Sequence, residues 1–206
     1  MATAGKLGWV ALGVLGLCAI AVPVACGGGG GGGTITPSFA ASFTGSRTTV
    51  APNVVRLRSA SSSGDTVVLE VTIGGSTTST NLNTFAFDLV LSDPSVASYV
   101  NQSATFGNAL TLGAGQTAGV QVAQSGNRVI VGVTKIGAGT GNGVSVSEAV
   151  VVRLTFRVLK VGTTTVTFSG VVNAQNPSGG PAVLDPTPAL VPSVLFDTVP
   201  AAISGS

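Results

Sequence analysis

Residues 84–91 read TFAFDLVL, with Phe85, Phe87, Leu89 and Leu91 at every second position and Ala86, Asp88 and Val90 between them. Side chains of a strand point alternately to opposite faces, so this pattern makes one wall of an apolar core and one face that looks elsewhere. An amphipathic helix would gather its apolar residues into a stripe three and four apart, whereas here the heaviest apolar residues recur at every second position. The run stops at Asp93-Pro94-Ser95, where proline withholds a backbone donor and aspartate and serine favour a turn. A chain carrying this stretch near its middle must build a sheet and cover the phenylalanine side of it.

The same period of two recurs along the chain. Val67, Leu69, Val71 and Ile73 share one face of a strand over residues 66–73. Residues 54–58 form a shorter strand before it, and 74–83 read as a polar loop after it. Residues 120–123 and 128–134 flank Gln124-Ser125-Gly126-Asn127, a hairpin loop, and Val129, Val131 and Val133 share a face. In the long strand of residues 149–161, Val150, Val152, Leu154, Phe156 and Val158 point one way. Gly162 turns the chain into Thr164, Val166 and Phe168. Further short strands are expected over 171–174 and 194–199, with a Pro- and Gly-rich loop over 176–192. Only 8% of residues are charged while Gly numbers 30, a balance that suits pleated sheets and tight turns. The expected fold is all-β, a two-sheet antiparallel sandwich of about nine strands.

Composition removes whole classes of chemistry. The chain has no histidine, and its two cysteines, Cys18 and Cys26, both lie near the N-terminus. The body of the protein therefore lacks Cys/His and Ser/His/Asp nucleophilic catalysis, disulfides and the usual zinc ligands. Net charge is +2 with no basic run, which gives nucleic acid no electrostatic footing. The glycine-rich stretch at 137–143 has no Lys-Ser/Thr after it and no helix to open, so it does not cradle phosphate. No cofactor is implied.

Residues 1–25 combine a short start containing Lys6 with an apolar run and small residues before Cys26, the layout of a secretory signal. Val24-Ala25-Cys26 resembles the lipobox of bacterial lipoproteins, which implies lipidation at Cys26. An ordinary signal peptide and an uncleaved anchor are the alternatives. Seven consecutive glycines follow, a flexible tether with a reach of roughly 15 Å, and Gly28 with no aspartate beside the cysteine resembles lipoproteins sorted to an outer membrane. Residues 26–49 are read as linker, 50–199 as the folded domain and 200–206 as a C-terminal tail.

The order of motifs from Gly64 onward is similar to that of a cohesin domain. Gly64-Asp65 leading into Thr66-Val67-Val68-Leu69-Glu70-Val71 resembles its second strand. The run from Phe85 to Leu91 with Asp93-Pro94-Ser95-Val96 resembles its third strand and turn. Val152 to Val158, and Gly162 to Phe168, resemble its late strands. The resemblance covers about residues 50–199. It implies a jelly-roll sandwich that holds dockerin modules, with a binding sheet that includes the third, sixth and eighth strands. Carried onto this sequence, the binding face is Ala86, Asp88 and Val90, then Arg128 and Ile130, then Val151, Arg153, Thr155 and Arg157. A dockerin-like protein is the partner so implied, held at the bacterial cell envelope through the lipid on Cys26.

Three other functions stand beside it. Carbohydrate binding in polysaccharide breakdown needs exposed aromatic rings, and Tyr99 is the only tyrosine. A glycosidase needs two facing carboxylates at roughly 5–9.5 Å, for which Glu70 and Asp88 on neighbouring strands are the candidates. A structural envelope lipoprotein needs no site at all. The expectation is a non-catalytic binding module.

Overall fold

A computed structural model describes residues 39–46, 51–137, 143–170 and 179–206. Cys26, the signal segment, the glycine run and the strand expected at 171–174 lie outside the described residues. Among those described there are thirteen strands and no helix. In chain order they are β1 (Ala41–Thr44), β2 (Val54–Ser63), β3 (Thr66–Leu82), β4 (Thr84–Leu91), β5 (Ala97–Tyr99), β6 (Thr105–Phe106) and β7 (Gln116–Ser125). Then come β8 (Arg128–Gly137), β9 (Val144–Val158), β10 (Gly162–Ser169), β11 (Ala182–Leu184), β12 (Leu195–Phe196) and β13 (Ala201–Gly205). The count exceeds the expected nine because five of these strands have no more than three or four residues, too short to show a periodicity.

The strands form two sheets, and the chain crosses between them repeatedly, as a jelly-roll sandwich requires. Sheet A runs β1-β13-β10-β4-β8-β7, with β11 continuing the line of β10 along β4. Sheet B runs β12-β2-β3-β9-β5, with β6 also on β9. All pairs are antiparallel except β12 with β2. The sandwich is therefore mixed at that one edge.

The alternation of β4 does what the sequence implies. Phe85, Phe87, Leu89 and Leu91 are all buried and meet Val67, Leu69, Val71 and Ile73 of β3 and Leu154, Phe156 and Val158 of β9 in one core. Burying each such side chain is worth about 1.5–3 kcal/mol, and three phenylalanines add directed contacts. Phe87 packs edge-on against Phe168 at 5.4 Å, and Phe168 against Phe196 at 5.2 Å.

Three boundaries differ from the sequence reading. Residues 41–44, read as linker, form β1, and residues 201–205, read as tail, form β13, which lies between β1 and β10. These stretches are short, with small residues, and only their partners make them strands. The loop expected at 74–83 continues β3: Ser79 pairs with Val146 and Leu82 with Val144, across two register shifts. Those shifts break the alternation, and the first half of β9 supplies the partner that local sequence cannot show. A bulge between Val71 and Thr72 on the β3–β9 ladder also slips the register midway along β9, at Val151.

Candidate binding face

The candidate residues divide between the two outer faces of the sandwich. β4 and β8 are neighbours in sheet A, with Asp88 opposite Ile130, Val90 opposite Arg128 and Ala86 opposite Gly132. Ala86, Asp88, Val90, Arg128 and Ile130 thus share one face, as expected. β9 belongs to sheet B, so Arg153, Thr155 and Arg157 look out of the opposite side of the molecule. The eighth-strand position of that face belongs to β10, which lies beside β4, and not to β9, which carries Val151, Arg153, Thr155 and Arg157. Both strands alternate well, and only the sheet order separates them. Val151 differs again. It is 1% exposed and part of the core, because the bulge brings Val151 as well as Val152 inward.

The outer face of sheet A is built from small, uncharged side chains. β10 contributes Thr167 opposite Val90 and Ser169 opposite Asp88, and β7 contributes Gln121 opposite Gly132 and Ala123 opposite Ile130. Thr84 and Thr134 bond hydroxyl to hydroxyl at 2.7 Å across the β4–β8 ladder. Ile130 stands between β4 and the edge strand β7 with 49% of its surface open, and Ile136 projects from the same face. Ile136 leans over Gly119, where a Cβ would come within 2.6 Å of its terminal carbon. The one ion pair found here is Arg128 Nη1 to Asp88 Oδ2 at 2.5 Å. Asp88 is 4% exposed, at the floor of a small depression bordered by Ile130, Gly170, Gly180 and Ala182. Its charge is spent on Arg128, whose far side remains half open to water.

The outer face of sheet B is the opposite in character. Arg58, Glu70 and Arg153 lie directly across from one another on β2, β3 and β9. Arg58 Nε donates to Glu70 at 3.0 Å, and Arg153 Nε donates to the other carboxylate oxygen at 2.8 Å. Glu148 accepts from both Arg56 and Arg58 at 3.2 Å. Arg157 pairs with Asp65 at 3.3 Å. Opposite charges placed directly across strands stabilise the sheet and occupy each other's bonding capacity.

Two other sequence candidates do not come together. Glu70 and Asp88 sit on opposite outer faces, so they cannot flank one bond. Tyr99 is 7% exposed, packs against Phe156 at 6.0 Å, and accepts the Ala104 amide on its hydroxyl at 3.1 Å, so it offers no platform to a sugar. Among the described residues no cluster of three or more His, Cys, Asp or Glu could hold a metal ion. Two exposed carboxylates are held below the usual aspartate range. For Asp93 the cause is the Ser95 hydroxyl and then the Ser95 amide, and for Asp185 it is first the Thr187 hydroxyl and then the Ala189 amide. Both are turn bonds and belong to no site.

Fold and face together define an all-β sandwich with one charge-laced side and one bare side. Similarity among solved structures fits that class. The chain is similar to a type II cohesin domain from the cellulosome of Acetivibrio cellulolyticus, at 16% identity and a TM-score of 0.50, over 81% of this chain and 95% of that one. It is similar to type II cohesin A11 from Bacteroides cellulosolvens, at 15% identity and a TM-score of 0.50, over 71% and 95%. It is similar at 17% identity and a TM-score of 0.50 to a type II cohesin dyad of Acetivibrio cellulolyticus, over 72% of this chain and 46% of that longer chain. No protein-family profile matches the chain, and no curated protein matches it by sequence. The fold is cohesin-like.

Proposed function

We propose that this domain is a non-catalytic binding module that docks a dockerin-like protein on the outer face of sheet A, at the bacterial cell envelope. The observation that carries the reading is the bare apolar patch on that face: Ile130 is half open among Ala86, Val90, Ala123 and Gly132, and the charges found beside it among the described residues, Asp88 and Arg128, neutralise each other. A partner can cover such a surface without stranding a charge, and an apolar centre with a polar rim is what a protein interface needs. A structurally similar chain, a type II cohesin from Acetivibrio cellulolyticus (15% identity, TM-score 0.50, 71% of this chain and 96% of that one), is known in complex with an X–dockerin partner. Lipidation at Cys26 and the glycine tether that follows would hold the module off a membrane, with the outer membrane favoured by Gly28.

The test uses one variant on each face. Ile130→Glu places a charge in the apolar patch of the sheet A face, and Arg157→Glu changes the far side. The full chain is used to capture partners from envelope extracts, and the captured protein is identified by mass spectrometry and then titrated in purified form. The expected result is one partner retained by Arg157→Glu and weakened at least about tenfold by Ile130→Glu, as loss of a buried anchor implies. Equal retention by both variants would sink the assignment of this face.

A further inference from the structure

β7 is the last strand of sheet A, and its own sequence carries none of the charges, prolines or bulges that normally blunt a sheet edge. Its ten residues, QTAGVQVAQS, contain no charge and no proline. Its register with β8 runs without a break from Gln116–Gly137 to Ser125–Arg128, so no bulge twists it away. Edges of that length and composition invite another strand. β7 joins β8 through the two-residue turn Gly126-Asn127, with Gly126 at φ +59°. In a hairpin of this kind the residues flanking the turn exchange hydrogen bonds, and every second pair does so after them. The amides and carbonyls of Ser125, Ala123, Gln121 and Gly119 therefore point at β8, while those of Ala118, Val120, Val122 and Gln124 point outward. No backbone partner is found for these four among the described residues. A cleft of about 710 Å³ lies alongside, with Val120, Val122 and Tyr99 in its wall.

The sequence of β7 says what fits there. It reads nearly the same in both directions about Gln121: Val120 mirrors Val122, Gly119 mirrors Ala123, and Thr117 mirrors Ser125. We propose that a second copy of this chain pairs antiparallel with β7 about a two-fold axis at Gln121. Val120 then exchanges hydrogen bonds with the partner copy's equivalent of Val122, and Ala118 with its equivalent of Gln124. This gives roughly eight backbone bonds, two for each of four pairs. Small outward side chains meet small ones, the half-buried valines extend the core across the joint, and no like charges meet. The axis stands perpendicular to the sheet, so both copies turn their Ile130 faces to the same side. This pairing does not depend on which partner that face takes.

A ten-residue strand edge buries less surface than the roughly 1,200 Å² of a stable interface, so the dimer is expected to be concentration-dependent. Sedimentation of the full chain in density-matched detergent tests it, with Gln121→Lys and Gln121→Glu. Residue 121 is exposed, so both variants leave the monomer intact, which urea melts verify. Across the axis each variant sets two like charges directly opposite, and each should weaken dimerisation about fivefold. An equal mixture of the two sets Lys against Glu and should restore it to the wild-type level or beyond. Sharing of a micelle does not depend on the charge at 121, so recovery in the mixture is specific to this axis. A wild-type chain that stays monomeric up to about 1 mM, or two variants that associate as the wild type does, overturns the proposal.

Discussion

Arg128→Ala should destabilise the domain more than Asp88→Ala, although each removes one half of the same ion pair. The Asp88 side chain is 5% exposed and the Arg128 side chain is 40% exposed. Without Asp88, the guanidinium swings into water and forfeits one charge-assisted bond, a loss of about 1 kcal/mol. Without Arg128, the carboxylate stays at the floor of its depression with its cation gone. Breaking a buried pair from that side costs about 3–5 kcal/mol, and the half-open position of Arg128 lets some water in, which favours the lower end. The expected gap is about 2 kcal/mol, or a difference of about 4–8 °C in melting temperature for a domain of this size. The double variant should resemble Asp88→Ala, because no charge is then left behind. Urea melts of all four proteins close the cycle. If Asp88→Ala proves the more damaging single change, or the double variant is worse than the sum of the two, the burial asymmetry does not govern this pair.

Gly107→Ala should be among the most damaging small substitutions, because the added Cβ would fall 1.9 Å from the Val150 carbonyl oxygen in backbone that cannot yield. A thermal melt should show a drop of several degrees, and a neutral result would mean that the β6–β9 approach is looser than described. The turn at Asp93 should carry a pH signature. Ser95 holds that carboxyl below its ordinary value, so its stabilising bonds are present above about pH 3.9 and are lost as pH falls through the lower folded value. Asp93→Asn should therefore lose less stability than the wild type between pH 5 and pH 2, an interval of about three units below neutrality's plateau. Acid melts of equal steepness for both proteins would rule this out.

How much of this was legible in the sequence depended on how far away the deciding contact lay. The core face of β4 could be read from residues 85–91 alone, because alternation is a local property. So could the hairpin that follows residue 120, although its loop is the two residues Gly126-Asn127 and not the four read at 124–127. The valine run at 150–152 could not: three like residues in a row leave no alternation to betray a bulge, and Val151 went to the wrong face. The candidate site was half legible for a similar reason. Ala86, Asp88, Val90, Arg128 and Ile130 fall together because β4 and β8 each alternate and do pair. Thr167, Ser169 and Ala123 were missed, and Arg153, Thr155 and Arg157 were placed on the wrong side. Which strand lies beside β4 is fixed by sheet order, and no periodicity records it.

The position of β13 bears on how the domain comes to be folded. Among the described residues β1, contributed by residues 41–44, finds its strand partner only in residues 201–205, and those same residues pair with β10 on their other side. The first and last strands of the domain thus meet at one edge of sheet A, with more than a hundred and fifty residues between them in the chain. A chain delivered N-terminus first from a ribosome cannot complete sheet A until the stretch after Pro200 has arrived. Folding governed by so distant a pairing is slow to begin. Until then the β1 stretch waits without its strand partner, and sheet A closes last at the edge where the two ends of the domain join.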